Sequence, residues 1–231
     1  MPRTDPPNRT VDDSADPFTE AGFRARARHR LSAAPSEAIF DPRSGQSLGL
    51  SDWDLNPEFK GDLAVMPPAR PAAVLVPIML RPALTVFLTQ RSHELKTHAG
   101  QISFPGGKMD PEDRSALDCA LREAWEEVGL PAAHVEPLGY LDSYRTGTGF
   151  QIVPVVGLVR PGFALALDAR EVSDAFEVPL QFLMNPANYR KDSREWHGRR
   201  RFFYAMAYGE RYIWGATAGM LKNMQQRLFP P

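Results

Sequence analysis

The stretch from Gly106 to Leu130 constrains this chain more than any other: paired glycines, a short polar link, then an acidic segment with apolar residues at helical spacing. Between Asp110 and Glu127 seven acidic residues stand against Arg114 and Arg122, a local charge of −5 in a chain whose total is −1. At about 100° per residue, Leu117, Ala120, Leu121, Ala124, Trp125 and Val128 share one arc, and Glu123, Glu126 and Glu127 share the opposite one. The spacing predicts a helix that packs by the first arc and carries three carboxylates on the second. Glu123 and Glu127 are one turn apart, so both can grip the same object. With nothing between them their repulsion, roughly 0.2–0.5 kcal/mol, weakens the helix.

Both ends are punctuated. Asp110-Pro111-Glu112-Asp113 offers an N-cap with Pro at the first helical position, and Asp113 is a second candidate cap. Gly129 suits a left-handed residue after the last turn, and Pro131 stops continuation.

The rest of the chain reads as scaffold for this stretch. Its 231 residues, 43% hydrophobic and 24% charged, suit one substantial globular domain with an N-terminal appendage. Near-neutral charge supplies no argument for nucleic-acid or membrane partners. No apolar run approaches the ~18 residues of a membrane-spanning helix. The N-terminus lacks the apolar core of a secretory signal, and a single cysteine suits a reducing compartment, so the expected location is cytoplasmic. That cysteine, Cys119, sits mid-helix among carboxylates that raise its pKa, which disfavours it as a nucleophile.

Residues 1–18 are expected as a disordered tail, 19–70 as an arm with a short helix over Thr19 to Leu31, and 71–231 as the main domain. In the helix Arg24, Arg26, Arg28 and His29 are expected to face solvent. Ala72–Leu80 and Leu84–Thr89 read as a buried hairpin or adjacent strands, with a short strand at Gln101–Phe104. Further strands are expected at Val135–Tyr144 and Phe150–Val159, and a helical turn from Pro179. Basic strands flank Trp196-His197-Gly198, and a helix runs over Ala216–Leu228. In this cluster Trp196, Phe202, Phe203 and Tyr204 are expected to pack in the sheet or core. The order implies an α/β (α+β) fold, a mixed sheet sandwiched between helices.

Three carboxylates behind a glycine turn suit a hard divalent cation, Mg²⁺ or Mn²⁺, which takes oxygen ligands and commonly adds substrate phosphates. The bland alternative is a solvated acidic helix face.

Residues Arg122-Glu123-Ala124-Trp125-Glu126-Glu127-Val128-Gly129-Leu130 decide between these. They resemble the second half of the Nudix hydrolase signature, Gly-x5-Glu-x7-Arg-Glu-hydrophobic-x-Glu-Glu-x-Gly-hydrophobic, at every specified position. The first half departs: Gly107 to Arg122 is one residue longer, and Asp113 stands near the expected Glu. The longer spacing resembles the coenzyme A pyrophosphatase branch. That branch has an upstream pattern Leu-Leu-Thr-x-Arg-Ser-x3-Arg-x3-Gly-x3-Phe-Pro-Gly-Gly. Here Phe87-Leu88-Thr89-Gln90-Arg91-Ser92, Lys96, Gly100 and Phe104-Pro105-Gly106-Gly107 keep that spacing, with Phe87 for Leu and Lys96 for Arg. Ile213-Trp214-Gly215-Ala216-Thr217 is also similar to the branch.

The resemblance implies a Nudix-type fold and a metal-dependent hydrolase cleaving coenzyme A or acyl-CoA. The products would be 3′,5′-ADP and (acyl-)4′-phosphopantetheine. It implies Glu123 and Glu127 as metal ligands, Glu126 as a ligand or the base that activates water, the Gly107 carbonyl as a further ligand, and Arg122 as the residue orienting the carboxylates. Glu171 is the candidate for an additional acid from beyond the signature. Arg91, Lys96 and His98 are candidate phosphate contacts, and the Arg190–Arg201 cluster has no assigned role. A different nucleoside diphosphate substrate such as ADP-ribose or NADH, or a non-catalytic nucleotide sensor, is the alternative. The sequence leaves a homodimer open.

Overall fold

The structure is a computed structural model that describes residues 15–35, 49–196 and 198–230. The expected tail before residue 15, part of the arm (36–48) and His197 lie outside these residues.

Fold and core follow from two long apolar strands. β2 (Arg70–Met79) runs parallel to β8 (Phe150–Val159), from Arg70 opposite Phe150 to Met79 opposite Val159. Both are buried on two sides, which is why they read as near-continuous apolar runs. Side chains alternate across the pleat: Ala73, Leu75, Met79, Val153 and Val155 enter one core cluster, and Val74, Val76, Ile78, Val156 and Leu158 the other. Around this pair assemble β1 (Gly49–Ser51), β3 (Thr85–Arg91), β4 (Ile102–Ser103) and β5 (Gly106–Lys108). β6 (Val135–Tyr140), β7 (Ser143–Arg145) and β9 (Val172–Pro179) complete the mixed sheet.

Helices cover both faces. α1 (Glu20–Arg30), α3 (Leu180–Met184) and α4 (Gly215–Leu228) contribute to one core cluster, and α2 (Ala116–Val128) to the other. A second, antiparallel sheet of β10 (Arg190–Trp196), β11 (Arg199–Tyr208) and β12 (Arg211–Trp214) sends Met206 and Ile213 into the first cluster. The α+β sandwich thus matches the expected fold class. No described helix is long and apolar enough to cross a membrane.

Four expectations for the central stretch need correction. The glycine turn is a strand: Gly106 and Gly107 pair with Val74 and Ala73 of β2. α2 starts at Ala116, capped by Ser115, whose hydroxyl accepts the Asp118 amide at 3.1 Å. Asp113 cannot cap because its oxygens are already taken by Arg122 and the Asp110 amide. The packed arc is rotated as well. Ala116, Cys119, Ala120, Ala124 and Val128 are buried together with Glu127, while Trp125 is 59% exposed. Small residues let α2 lie directly on the glycine strand, where no indole fits and where Glu127 is drawn inward. Gly129 takes the expected left-handed conformation at φ 68°.

In α1, Phe23 and Ala27 join the core, Arg24 pairs with Glu136, and Arg26 donates to the Leu228 carbonyl at 3.0 Å. Only Arg28 and His29 of its four expected exposed cations face solvent fully. In the basic hairpin Trp196 is exposed rather than packed, whereas Phe203 packs against Trp214 with ring centres 5.0 Å apart and planes tilted by 53°.

Candidate active site

Two glycines let two carboxylates reach the sheet. A Cβ at Gly107 would lie 2.6 Å from the Glu123 carboxylate, so the space that any side chain would fill is occupied by that acid. Gly106 adopts φ 151°, a Cβ there would strike the Ala73 carbonyl at 2.4 Å, and its amide donates to Glu127 Oε2 at 3.3 Å. The strand β5 is therefore a bare backbone floor under Glu123 and Glu127.

Burial sets the electrostatics. Glu127 is 3% exposed, and its pKa is pushed up to about 8, first by loss of solvent and then by the charges of Glu123 and Glu171, against the pull of Arg91. Glu123 is also raised, by burial first, with Arg122 opposing. Each additional positive charge brought between them is thus strongly favoured. Glu126 stands outside the pair: its side chain is 55% exposed and accepts from Arg122 Nη1 at 3.0 Å.

Arg122 ties the helix to the loop before it. Nε and Nη2 donate to Asp113 at 3.0 and 2.8 Å, Nη1 to Glu123 and Glu126 at 3.0 Å each, and Nη2 also to the Lys108 carbonyl at 3.3 Å. The planar guanidinium reads three carboxylates at once, which an ammonium could not do with the same geometry. The double bond to Asp113 holds that carboxyl below its ordinary pKa. Its signal in the sequence was an acid at the position where the Nudix pattern has Glu.

Arg91 reaches the site from the end of β3: its Nη1 lies 3.9 Å from Glu127 Oε1. Glu171, exposed at the start of β9, is felt electrostatically by both Glu123 and Glu127. Its carbonyl accepts the Ser92 amide at 2.7 Å, which joins the two loops that flank the carboxylates. Lys96 and His98 are exposed on the loop between β3 and β4, His98 at φ 58° with its ring bonded to Gln101 at 2.9 Å, and among the described residues neither forms an ion pair with the glutamates. Cys119 is buried under the floor with its thiol 3.7 Å from the Gly107 carbonyl, and burial pushes its pKa up to about 12, so it is no nucleophile.

The donor set is all oxygen, which suits a hard cation. Among the described residues no three Asp, Glu, His or Cys side chains gather around one point. The chain thus offers two carboxylates and nearby carbonyls, the share Mg²⁺ usually takes from protein before phosphates and water complete its shell.

The NUDIX domain profile matches residues 69–203, which span β2 to β9, α2 and this floor. The chain is similar to the protein called "Uncharacterized Nudix hydrolase NudL" in Yersinia enterocolitica, 41% identical over 157 residues, covering 68% of this chain and 80% of the relative. The Yersinia pestis protein of the same name is 40% identical over 159 residues, covering 69% and 80%. Among solved structures, a C. elegans Ap4A hydrolase aligns at 18% identity and a TM-score of 0.42, over 48% of this chain and 80% of that one. A profile match across more than half of the chain and two-fifths identity to these relatives establish that the protein belongs to the Nudix hydrolase family.

Proposed function

We propose that this protein is a divalent-metal-dependent pyrophosphohydrolase acting on coenzyme A or acyl-CoA, releasing 3′,5′-ADP and (acyl-)4′-phosphopantetheine. The observation that carries the reading is the pair Glu123 and Glu127 held over the Gly106-Gly107 floor, with Arg91 at 3.9 Å from Glu127. A bound Mg²⁺ or Mn²⁺ there would polarise a diphosphate and lower the pKa of a water. Glu123, Glu127 and the Gly107 carbonyl hold it in this reading. Arg122 fixes the carboxylates through its bonds to Glu123, Glu126 and Asp113. The proton of the attacking water goes to Glu126; Glu171, whose charge is felt at both glutamates, is its competitor for that role. Arg91, Lys96 and His98 meet phosphate oxygens.

Support for coenzyme A comes from the upstream motif. Its arginine, Arg91, is the cation found beside Glu127, and its terminal Gly106-Gly107 is the floor itself. The single buried cysteine supports a reducing, cytoplasmic setting.

The deciding experiment incubates coenzyme A with protein and Mg²⁺ or Mn²⁺ and weighs the fragments. The two named products are expected. Faster cleavage of ADP-ribose or NADH in parallel reactions discards the coenzyme A assignment, and nucleotide binding without cleavage of any of them favours a sensor.

A further inference from the structure

We propose that Arg91 is a place-holder for the metal: it supplies the positive charge beside Glu127 while no cation is bound and is handed to the substrate's phosphate when one arrives. The inference rests on the reading of Glu123 and Glu127 as cation ligands.

Position comes first. Phe87 of β3 packs into the α2-side core, and strand alternation puts Thr89 and Arg91 on that same side. The pairing of β3 with β9 slips between Gln90 and Arg91, but the extra residue, Ser173, lies on β9, so β3 keeps its alternation through Arg91. The backbone there is anchored, since the Arg91 amide donates to Gln101 and its carbonyl accepts from Gly100. Arg91 is therefore held at the rim of the site by its main chain, with its side chain 26% exposed.

The guanidinium is underused. Its approach to Glu127, 3.9 Å, is beyond hydrogen-bond reach and is purely electrostatic. Its Nε is enclosed and takes no partner among the described residues. A buried donor without an acceptor is destabilising, and a purely structural arginine would avoid that by rotating into a bond. A donor fork kept open beside a carboxylate pair suits a phosphate, whose two oxygens such a fork binds together. A divalent cation on Glu127 would repel Arg91 at this separation, and an incoming phosphate would accept its Nε and Nη. A positive group therefore stands beside Glu127 at each stage: the arginine without metal, and the metal with it while the arginine turns to phosphate. Cation and nucleotide then bind cooperatively, because each removes what opposes the other.

The test is calorimetric titration of ADP into the full chain with and without Mg²⁺, for the unaltered protein, Arg91→Gln, Arg91→Lys and Glu127→Gln. Handover predicts that without Mg²⁺ Arg91→Gln matches the unaltered protein, while Glu127→Gln binds ADP about fivefold tighter because the arginine is released. With Mg²⁺, Arg91→Gln should weaken ADP about tenfold or more, and Arg91→Lys should recover part of the loss. A loss in Arg91→Gln that is equal with and without Mg²⁺ makes Arg91 an ordinary phosphate contact and overturns the handover alone. No Mg²⁺-dependent ADP binding by the unaltered protein overturns both the handover and the proposed function.

Discussion

Two buried carboxylates in this protein are treated in opposite ways. Asp52, in the segment after β1, is half-buried as a residue but its carboxylate is enclosed: Oδ1 accepts the Tyr144 hydroxyl at 2.8 Å and Oδ2 the Gly147 amide at 2.7 Å. Burial raises its pKa, and those two bonds and Arg201 oppose the rise. Glu127 has one long bond, 3.3 Å from the Gly106 amide, and a distant arginine. The protein satisfies the acid that pins the β7–β8 turn to the arm, and leaves unsatisfied the one beside the glycine floor. Unused acceptor capacity at a buried acid is what separates a binding group from a structural one.

The comparison breaks most directly at the glutamates. Glu127→Gln and Glu123→Gln should each lower turnover of the cleaved diphosphate about 10⁴-fold, several kcal/mol of transition-state stabilisation, with the far-ultraviolet spectrum unchanged. Wild-type rates in both variants would sink the site assignment.

Next in size is a pH effect on the metal-free protein. Glu127 is raised from 4.5 to about 8, so its neutral form is favoured in the fold. The stability this contributes is complete below about pH 4.5 and is lost as pH rises to about 8, with an upper bound of about 5 kcal/mol. Urea unfolding in a chelator should show the decline, Glu127→Gln should lack it, and Mg²⁺ should reverse it.

Gly107→Ala sharpens the case for the floor. The new methyl meets the Glu123 carboxylate at 2.6 Å, the far end of a flexible side chain, so the fold should survive. Displacing that carboxylate should cost about 100-fold in turnover and weaken Mg²⁺ binding in the same titration.

Asp52→Asn tests the other half. It either presents an amide N–H to the Gly147 amide or turns that N–H on the Tyr144 oxygen and takes away the hydroxyl's acceptor, at about 2 kcal/mol of stability by urea denaturation. Turnover per folded molecule should be unchanged. A loss of turnover without a loss of stability would mean that Asp52 belongs to the site.

The smallest effect is expected at Trp125, inside the signature yet exposed. Trp125→Ala should change stability by less than about 0.5 kcal/mol and leave turnover alone.

Much of the central region was legible beforehand. The helix, its glycine stop and the one-turn spacing of Glu123 and Glu127 depend on spacing within one element, which sequence states directly, whereas the role of Arg122 came from the family resemblance. The start of α2 was misplaced because Asp110 before Pro111, and after it Asp113, looked like caps; the Asp113 oxygens are claimed by Arg122, a partner nine positions on.

What the sequence alone determined was local: helical period, strand alternation, the glycines, and a charge pattern whose repulsion asks for a cation. Tertiary structure decided which side of α2 is inward. Only the approach of β5 shows that small residues and Glu127 pack while Trp125 stays out. It also brought Arg91 to Glu127 and the Glu171 loop to both glutamates, contacts across 36 or more residues. The physical reason is that burial and pairing depend on neighbours from other strands, and no periodicity within a segment encodes which strand arrives beside it.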